Sequence, residues 1–83
     1  MELLGEDVSD SVTLFSVQLS EGELVLYLDC LNYLLNCASD KVVSSQTECS
    51  SLEELSWYRD DILELIKGMR QKDFLPDRYK GLK

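Results

Sequence analysis

Residues 11–19 alternate between an apolar and a mixed set of side chains, the pattern of a β-strand. The apolar set consists of Thr13, Phe15, Val17 and Leu19. The mixed set consists of Val12, Leu14, Ser16 and Gln18. Because successive side chains of a strand point to opposite faces, we expect Ser11–Leu19 to be a half-buried strand. Its pairing partner stays open between Lys41–Thr47, the C-terminal tail and a second copy, since a lone strand leaves its backbone groups unpaired.

The stretch Ser20–Ala38 has the pattern of a helix that packs on more than one side. Ser20 and Glu23 form a capping box, in which each side chain accepts from the other residue's backbone N–H. Apolar residues recur three and four positions apart over most of the circumference, which predicts the central element of the domain. The remaining polar stripe contains Asp29, Asn32 and Asn36, and we interpret it as a solvated surface.

A second helix is predicted over Ser51–Arg70. Its capping box is either Ser51 with Glu54 or Ser50 with Glu53. Its core-facing and flanking apolar residues are Leu52, Leu55, Ile62, Leu63, Leu65, Ile66 and Met69. The chain then becomes extended, because the residue before a proline disfavours helix.

These elements predict a small α+β domain, in which two amphipathic helices pack on a short antiparallel sheet. At 83 residues the chain has room for one small core. We expect a flexible acidic N-terminus at residues 1–10, a single domain at residues 11–71 and a basic C-terminal tail at residues 72–83.

Charge is distributed unevenly along the chain. Residues 1–40 have net charge −8, residues 41–66 have −4 and residues 67–83 have +4, which gives −8 in total. Such an acidic body argues against nucleic acid and membranes as direct partners, because phosphate backbones and anionic lipids select cationic surfaces. It favours a basic protein partner.

The cysteines Cys30, Cys37 and Cys49 show no metal-binding or redox spacing. Cys30 and Cys37 lie two helical turns apart, which is too far for a disulfide bond. We expect buried thiols in a reducing cytoplasm, with no metal or other cofactor. The N-terminus lacks the basic region of a signal peptide, and no apolar run approaches the roughly 20 residues that span a bilayer.

The only tryptophan, Trp57, lies on the acidic side of the second helix. Five acids three, four or seven positions away share that side: Glu53, Glu54, Asp60, Asp61 and Glu64. An aromatic anchor ringed by carboxylates is typical of an interface hot spot and suits a cationic side chain through cation–π contact. The alternative is that Trp57 packs onto the N-terminal segment or the loop at residues 39–50.

The basic tail contains three apolar anchor residues: Phe74, Leu75 and Tyr79. We expect them to dock on the domain. The alternative is a secondary binding site that waits for a partner.

Catalytic constellations are not evident in the sequence. The chain has no histidine, which excludes Ser-His-Asp and Cys-His catalysis. Adjacent acids such as Asp60 and Asp61 point about 100° apart on a helix, and nothing indicates the burial that raises a carboxyl pKa. We therefore expect a protein that is not an enzyme.

The charge pattern resembles that of small acidic proteins that neutralise basic partners, such as bacteriocin immunity proteins, anti-CRISPR proteins and DNA mimics. Short segments are similar to the colicin nuclease immunity family: Met1–Leu3, Ser9–Asp10, Phe15, Ile66–Lys67 and Arg70. The family's Tyr-Tyr-Pro recognition segment is missing, and a strand at Ser11–Leu19 disagrees with its all-helical fold. The resemblance implies only that an acidic surface neutralises a basic partner. It implies neither the fold nor the site residues of that family.

The sequence thus predicts a small acidic protein-binding module. Its most concrete form is an inhibitor or immunity-type protein that neutralises a basic nuclease or nucleic-acid-binding effector through the face around Trp57. One alternative is an adaptor or small subunit that docks into a larger assembly through its C-terminal tail. Another is a homo-oligomer, such as a homodimer paired through a strand edge.

Overall fold

A computed structural model describes residues 1–81, which form a β-hairpin followed by helices. The elements in chain order are β1 (Glu2–Ser9), β2 (Val12–Gln18), α1 (Glu21–Cys37), α2 (Asp40–Gln46), α3 (Leu52–Lys67) and α4 (Asp77–Lys80). The predicted α+β class is confirmed, as are the two long helices. Residues 82–83 of the predicted tail lie outside the described residues.

The hairpin pairs the two strands antiparallel across a two-residue turn. Asp10 and Ser11 have φ of 47° and 69°, and positive φ at both central residues is the mark of a type I′ turn. The ladder runs from the Ser9–Val12 pair and is interrupted near its end by a bulge at Leu4. Residues 1–10, which we expected to be flexible, therefore contain the strand that pairs with the predicted strand at Ser11–Leu19.

The segment considered as a second strand, Lys41–Thr47, lies mainly in α2, so that prediction was wrong. Ser39 Oγ accepts from the Val42 N–H at 3.3 Å and starts a helix there. Val43 becomes fully buried, which outweighs the preference of valine for strands. Asp40 Oδ1 in turn accepts from the Leu52 N–H at 2.8 Å, so α2 caps the beginning of α3.

The core consists of two apolar clusters, and both α1 and α3 contribute residues to each. Leu28, Ile66, Leu75 and Tyr79 form the first. Val43, Cys49 and Leu55 form the second. α1 contributes Leu24 and Val25 to the first cluster and Leu31, Leu34 and Leu35 to the second. The central position predicted for α1 is shared with α3, which buries Ile66 in the first cluster and Leu55 in the second.

The hairpin lies outside this core. Every residue of β2 is exposed, and in β1 only Gly5 is partly buried, so the expectation of a half-buried strand was wrong. The helices bury their apolar faces against one another and against the C-terminal segment, not against the sheet. At the hairpin's open end, the N-terminal ammonium of Met1 pairs with Glu23 of α1.

The thiols are only partly as predicted. Cys49 is buried in the second cluster, whereas Cys30 and Cys37 are exposed. Helical spacing places both on the side of α1 opposite the buried Leu28.

Candidate functional site

The face of α3 that holds Trp57 is set by the helix's first turn. Ser51 Oγ accepts from the Glu54 N–H at 3.2 Å, which makes Ser51 the N-cap. Neither predicted capping box is complete, because the Glu54 carboxylate accepts from Ser50 and not from the Ser51 N–H. Leu55 and Ile66 are buried on the inner side of the helix, which turns Trp57 outward.

Trp57 is 59% exposed and belongs to neither apolar cluster, so most of its indole is open to solvent. Tyr58 beside it is 56% exposed. Together with Glu54 and Asp61, the two rings line a shallow concavity of about 320 Å³. We call these four residues the α3 concavity.

The predicted ring of five acids divides into two groups. Glu54 and Asp61 lie in the α3 concavity with Trp57. Asp60 pairs with Arg59 at 2.7 Å and Glu64 pairs with Lys67 at 3.3 Å, so neighbouring cations offset their charges. Glu53 is exposed on the same helix but does not line the concavity.

Glu54 is held in place as a carboxylate. Its Oε2 accepts from the Ser50 hydroxyl at 2.6 Å and from the Ser50 N–H at 3.2 Å. These hydrogen bonds lower the pKa of Glu54, the hydroxyl having the larger effect. Oε2 accepts both hydrogen bonds. Within residues 1–81 no donor forms a hydrogen bond with Oε1. Glu54 can therefore accept a further hydrogen bond from a partner.

Asp61 carries the second charge of the α3 concavity, and among residues 1–81 it has no cationic partner. Two ring faces beside two carboxylates suit a cation. A guanidinium stacks on an aromatic ring and forms paired hydrogen bonds with carboxylates. The α3 concavity therefore contains the chemical groups that a cationic side chain requires.

Sequence reasoning missed Tyr58, and it placed Leu65 beside the core although Leu65 is 61% exposed. A helical-spacing argument could have found both. Tyr58 is four positions after Glu54 and three before Asp61, and Leu65 is four after Asp61. Tyr58 and Leu65 therefore lie on the same side of α3 as the α3 concavity.

The three apolar residues of the tail lie in different environments. Leu75 is 3% and Tyr79 6% exposed, both in the first core cluster, while Phe74 is 80% exposed. Docking of the tail is thus confirmed for Leu75 and Tyr79. Because these two side chains are part of the core, the proposed secondary site is reduced to Phe74.

The polar stripe of α1 holds the tail in place instead of facing solvent, as we had interpreted it. Asp29 accepts from the Tyr79 hydroxyl at 2.5 Å and from Arg78 at 2.6 Å. Asn32 donates to the Tyr79 hydroxyl at 3.3 Å and accepts from Arg59 of α3 at 3.2 Å. Only Asn36 of the stripe is exposed. The stripe therefore links α1, α3 and the C-terminal segment.

Two other kinds of site were considered for residues 1–81. No group of three or more Cys, Asp or Glu side chains there is arranged to hold a metal ion. None of the helices described is both long and apolar enough to cross a membrane.

Comparisons with known proteins give no relative from which a function could be transferred. No protein-family model matches the sequence, and searches of curated proteins and of solved structures find no significant match to the chain.

Proposed function

We propose that this protein is a protein-binding module whose α3 concavity receives cationic side chains of a basic partner. The observation that carries the proposal is the exposure of the only tryptophan, Trp57, between the carboxylates of Glu54 and Asp61. A folded domain gains by burying an indole. An indole left in solvent beside unneutralised acids is typical of a surface that is covered on binding.

The overall charge of the chain also favours a cationic partner. The net charge is −8, and the positive charges cluster at residues 67–83. Acidic surfaces accelerate encounter with cationic partners and fix their orientation. A nuclease or another nucleic-acid-binding effector presents such a cationic surface, and neutralising one is the most concrete form of the proposal. The three free thiols support placing this role in the reducing cytoplasm.

An adaptor role through the tail has less support, because Leu75 and Tyr79 are core residues. A deletion of the tail is for the same reason an unsuitable test, since it removes part of the core. Phe74→Ala tests the tail cleanly, because Phe74 is 80% exposed.

The test is affinity capture from a lysate of the source cells, with bound proteins identified by mass spectrometry. The bait is the wild-type chain beside Trp57→Ala and the matched control Tyr33→Ala, which removes a 68% exposed aromatic from α1. We expect a basic nucleic-acid-binding protein on wild type, Tyr33→Ala and Phe74→Ala, about tenfold less on Trp57→Ala, and release between about 50 and 500 mM salt.

Equal capture by wild type and Trp57→Ala would contradict the proposal. So would capture that resists salt and depends on Phe74, since that result assigns binding to the tail. For a captured nuclease, inhibition by the wild-type chain and its loss in Trp57→Ala tests neutralisation directly.

A further inference from the structure

The outer edge of β2 is an unpaired and exposed strand edge, separate from the α3 concavity. Within residues 1–81, β1 and β2 form the only sheet, so each strand has one unpaired edge. A hairpin alone is marginally stable in water, and stable sheets have three or more strands or a covering layer. The hairpin's apolar side chains are between 39% and 68% exposed, so the helices do not provide that layer.

The two edges differ in the features that control strand pairing. β1 carries Glu2, Glu6 and Asp7 and a bulge at Leu4, and charges and bulges both oppose further pairing. β2 reads VTLFSVQ, seven residues with no charge, proline or glycine. A strand of this kind is a template for edge pairing. Of the two edges, β2 is therefore the one suited to pairing with a third strand.

The turn determines which backbone groups face this edge. A two-residue turn closes on the Ser9–Val12 pair, where the hydrogen bonds between the strands begin. In antiparallel pairs, residues alternate between bonding to one neighbouring strand and bonding to the other. Val12 and Leu14 thus bond to β1, while the N–H and C=O groups of Thr13, Phe15 and Val17 point outward.

These outward positions are complementary to themselves. When two β2 strands pair antiparallel about Phe15, each Phe15 lies opposite its own copy, and Thr13 lies opposite Val17 of the second copy. Every outward N–H and C=O then meets an outward group, and the two phenylalanines form a favourable cross-strand pair. The acidic β1 strands lie at opposite edges of the combined sheet, roughly 14 Å apart at the usual strand spacing. This distance exceeds the screening length at physiological salt.

We infer that a second copy of this chain pairs through β2, which gives a two-fold symmetric homodimer with a four-stranded antiparallel sheet. The self-complementary register about Phe15 favours a second copy over a foreign strand. The uncharged β2 edge brings no like charges together at the contact, so the net charge of −8 on each copy opposes pairing only through screened long-range repulsion. The contact is isologous and therefore closes at two copies. The inference does not depend on the α3 concavity.

The register gives a sharp test by charge reversal. In Thr13→Lys/Val17→Lys, lysines lie opposite lysines twice across the dimer. In Thr13→Lys/Val17→Glu, each lysine lies opposite a glutamate. Both variants lose the same two native side chains, so only the sign of the charge at residue 17 separates them. Within the hairpin the residues opposite Thr13 and Val17 are Val8 and Leu3, which carry no charge.

The measurement is sedimentation equilibrium over about 1 μM to 1 mM protein, with nuclear Overhauser contacts between β1 and β2 to verify the hairpin. We expect a monomer–dimer equilibrium for wild type, about tenfold or more weaker dimerisation for the double lysine variant, and recovery in the lysine–glutamate variant. A wild type that stays monomeric throughout overturns the inference. So does equal dimerisation of the two variants, or assembly beyond the dimer.

Discussion

The Tyr79 hydroxyl donates to Asp29 Oδ1 across 2.5 Å and joins the C-terminal segment to the first long helix. The Tyr79 ring is buried against Leu28 and Ile66, while its hydroxyl reaches the partly exposed polar stripe of α1. One side chain thus supplies both apolar burial and a charge-assisted hydrogen bond. This contact and the burial of Leu75 together join the segment after α3 to the domain.

Removing only the hydroxyl tests this contact. Tyr79→Phe keeps the ring in the core but leaves Asp29 with Arg78 alone, so we expect the free energy of unfolding to fall by about 1–3 kcal/mol. Chemical denaturation measures it. Phe74→Ala is the control, because an 80% exposed side chain should contribute less than about 0.5 kcal/mol. A larger loss for Phe74→Ala than for Tyr79→Phe would contradict the assignment.

The same contact predicts a pH dependence. Hydrogen bonds from Arg78 and then from Tyr79 lower the pKa of Asp29 in the folded state, so the unfolded chain binds this proton more readily. The stabilisation is complete above the ordinary aspartate pKa, about 3.9, and is lost as pH falls through the lowered folded value. We expect Asp29→Asn to be less stable than wild type at neutral pH and to lose less stability on acidification.

Denaturation at a series of pH values between about 7 and 2 checks this expectation. Asp73→Asn is the charge-matched control on an exposed residue. The prediction fails if Asp29→Asn and wild type lose stability in parallel as the pH falls.

Two leucines on α1 test the placement of the core. Leu28 is fully buried and Leu26, two positions earlier, is 57% exposed. We expect Leu28→Ala to cost about 2–5 kcal/mol in free energy of unfolding through lost burial and a cavity, and Leu26→Ala to cost less than about 0.5 kcal/mol. Thermal or denaturant unfolding of both variants measures the difference. Comparable losses would show that the α1 face is misassigned.

The turn of the hairpin predicts a stabilising substitution. Ser11 has φ of 69°, which costs an L-residue about 1–2 kcal/mol and glycine far less. We therefore expect Ser11→Gly to slow amide hydrogen exchange in β1 and β2. Ser9→Gly, the same change in the strand two residues earlier, should instead accelerate exchange. Slower exchange in both variants, or in neither, would contradict the type I′ turn.

The long helices could be predicted because their signals are local. The Ser20–Glu23 capping box forms as expected, and helical spacing places Trp57 opposite Leu55 and Ile66. Local signals also placed the strand at Ser11–Leu19, of which Val12–Gln18 is a strand.

The rest of the fold depends on contacts between distant parts of the chain. Residues 2–9 alternate poorly and pair only because the turn at Asp10–Ser11 brings them alongside β2. Val42–Val43 favours a strand by propensity, but the Ser39 cap and the burial of Val43 make α2 helical. We interpreted the polar stripe of α1 as facing solvent because its partners are distant in sequence. Arg78 and Tyr79 lie 49 and 50 residues after Asp29.

The candidate site could be predicted only in part, because helical spacing shows which side chains are neighbours but not which of them pair. Helical spacing places carboxylates around Trp57, but it cannot show that Arg59 and Lys67 offset two of them. It also does not show that Glu54 is fixed by Ser50. The structure therefore narrows the predicted acidic face to Glu54 and Asp61, and adds Tyr58.

The central claim is that the α3 concavity binds cationic side chains, and Trp57 is its built-in reporter, because the chain has no other tryptophan. The most direct measurement is the fluorescence of Trp57 during titration with an arginine-rich peptide. Wild type is compared with Glu54→Gln/Asp61→Asn and with Glu6→Gln/Asp7→Asn, which removes the same two charges from the hairpin.

We expect the peptide to shift the Trp57 emission of wild type. Affinity should fall about tenfold in Glu54→Gln/Asp61→Asn, because paired hydrogen bonds to carboxylates are lost, and less than about twofold in Glu6→Gln/Asp7→Asn, where only screened long-range attraction changes. Equal losses in the two variants, or binding that leaves Trp57 emission unchanged, would show that the net charge attracts the peptide and that the α3 concavity does not bind it.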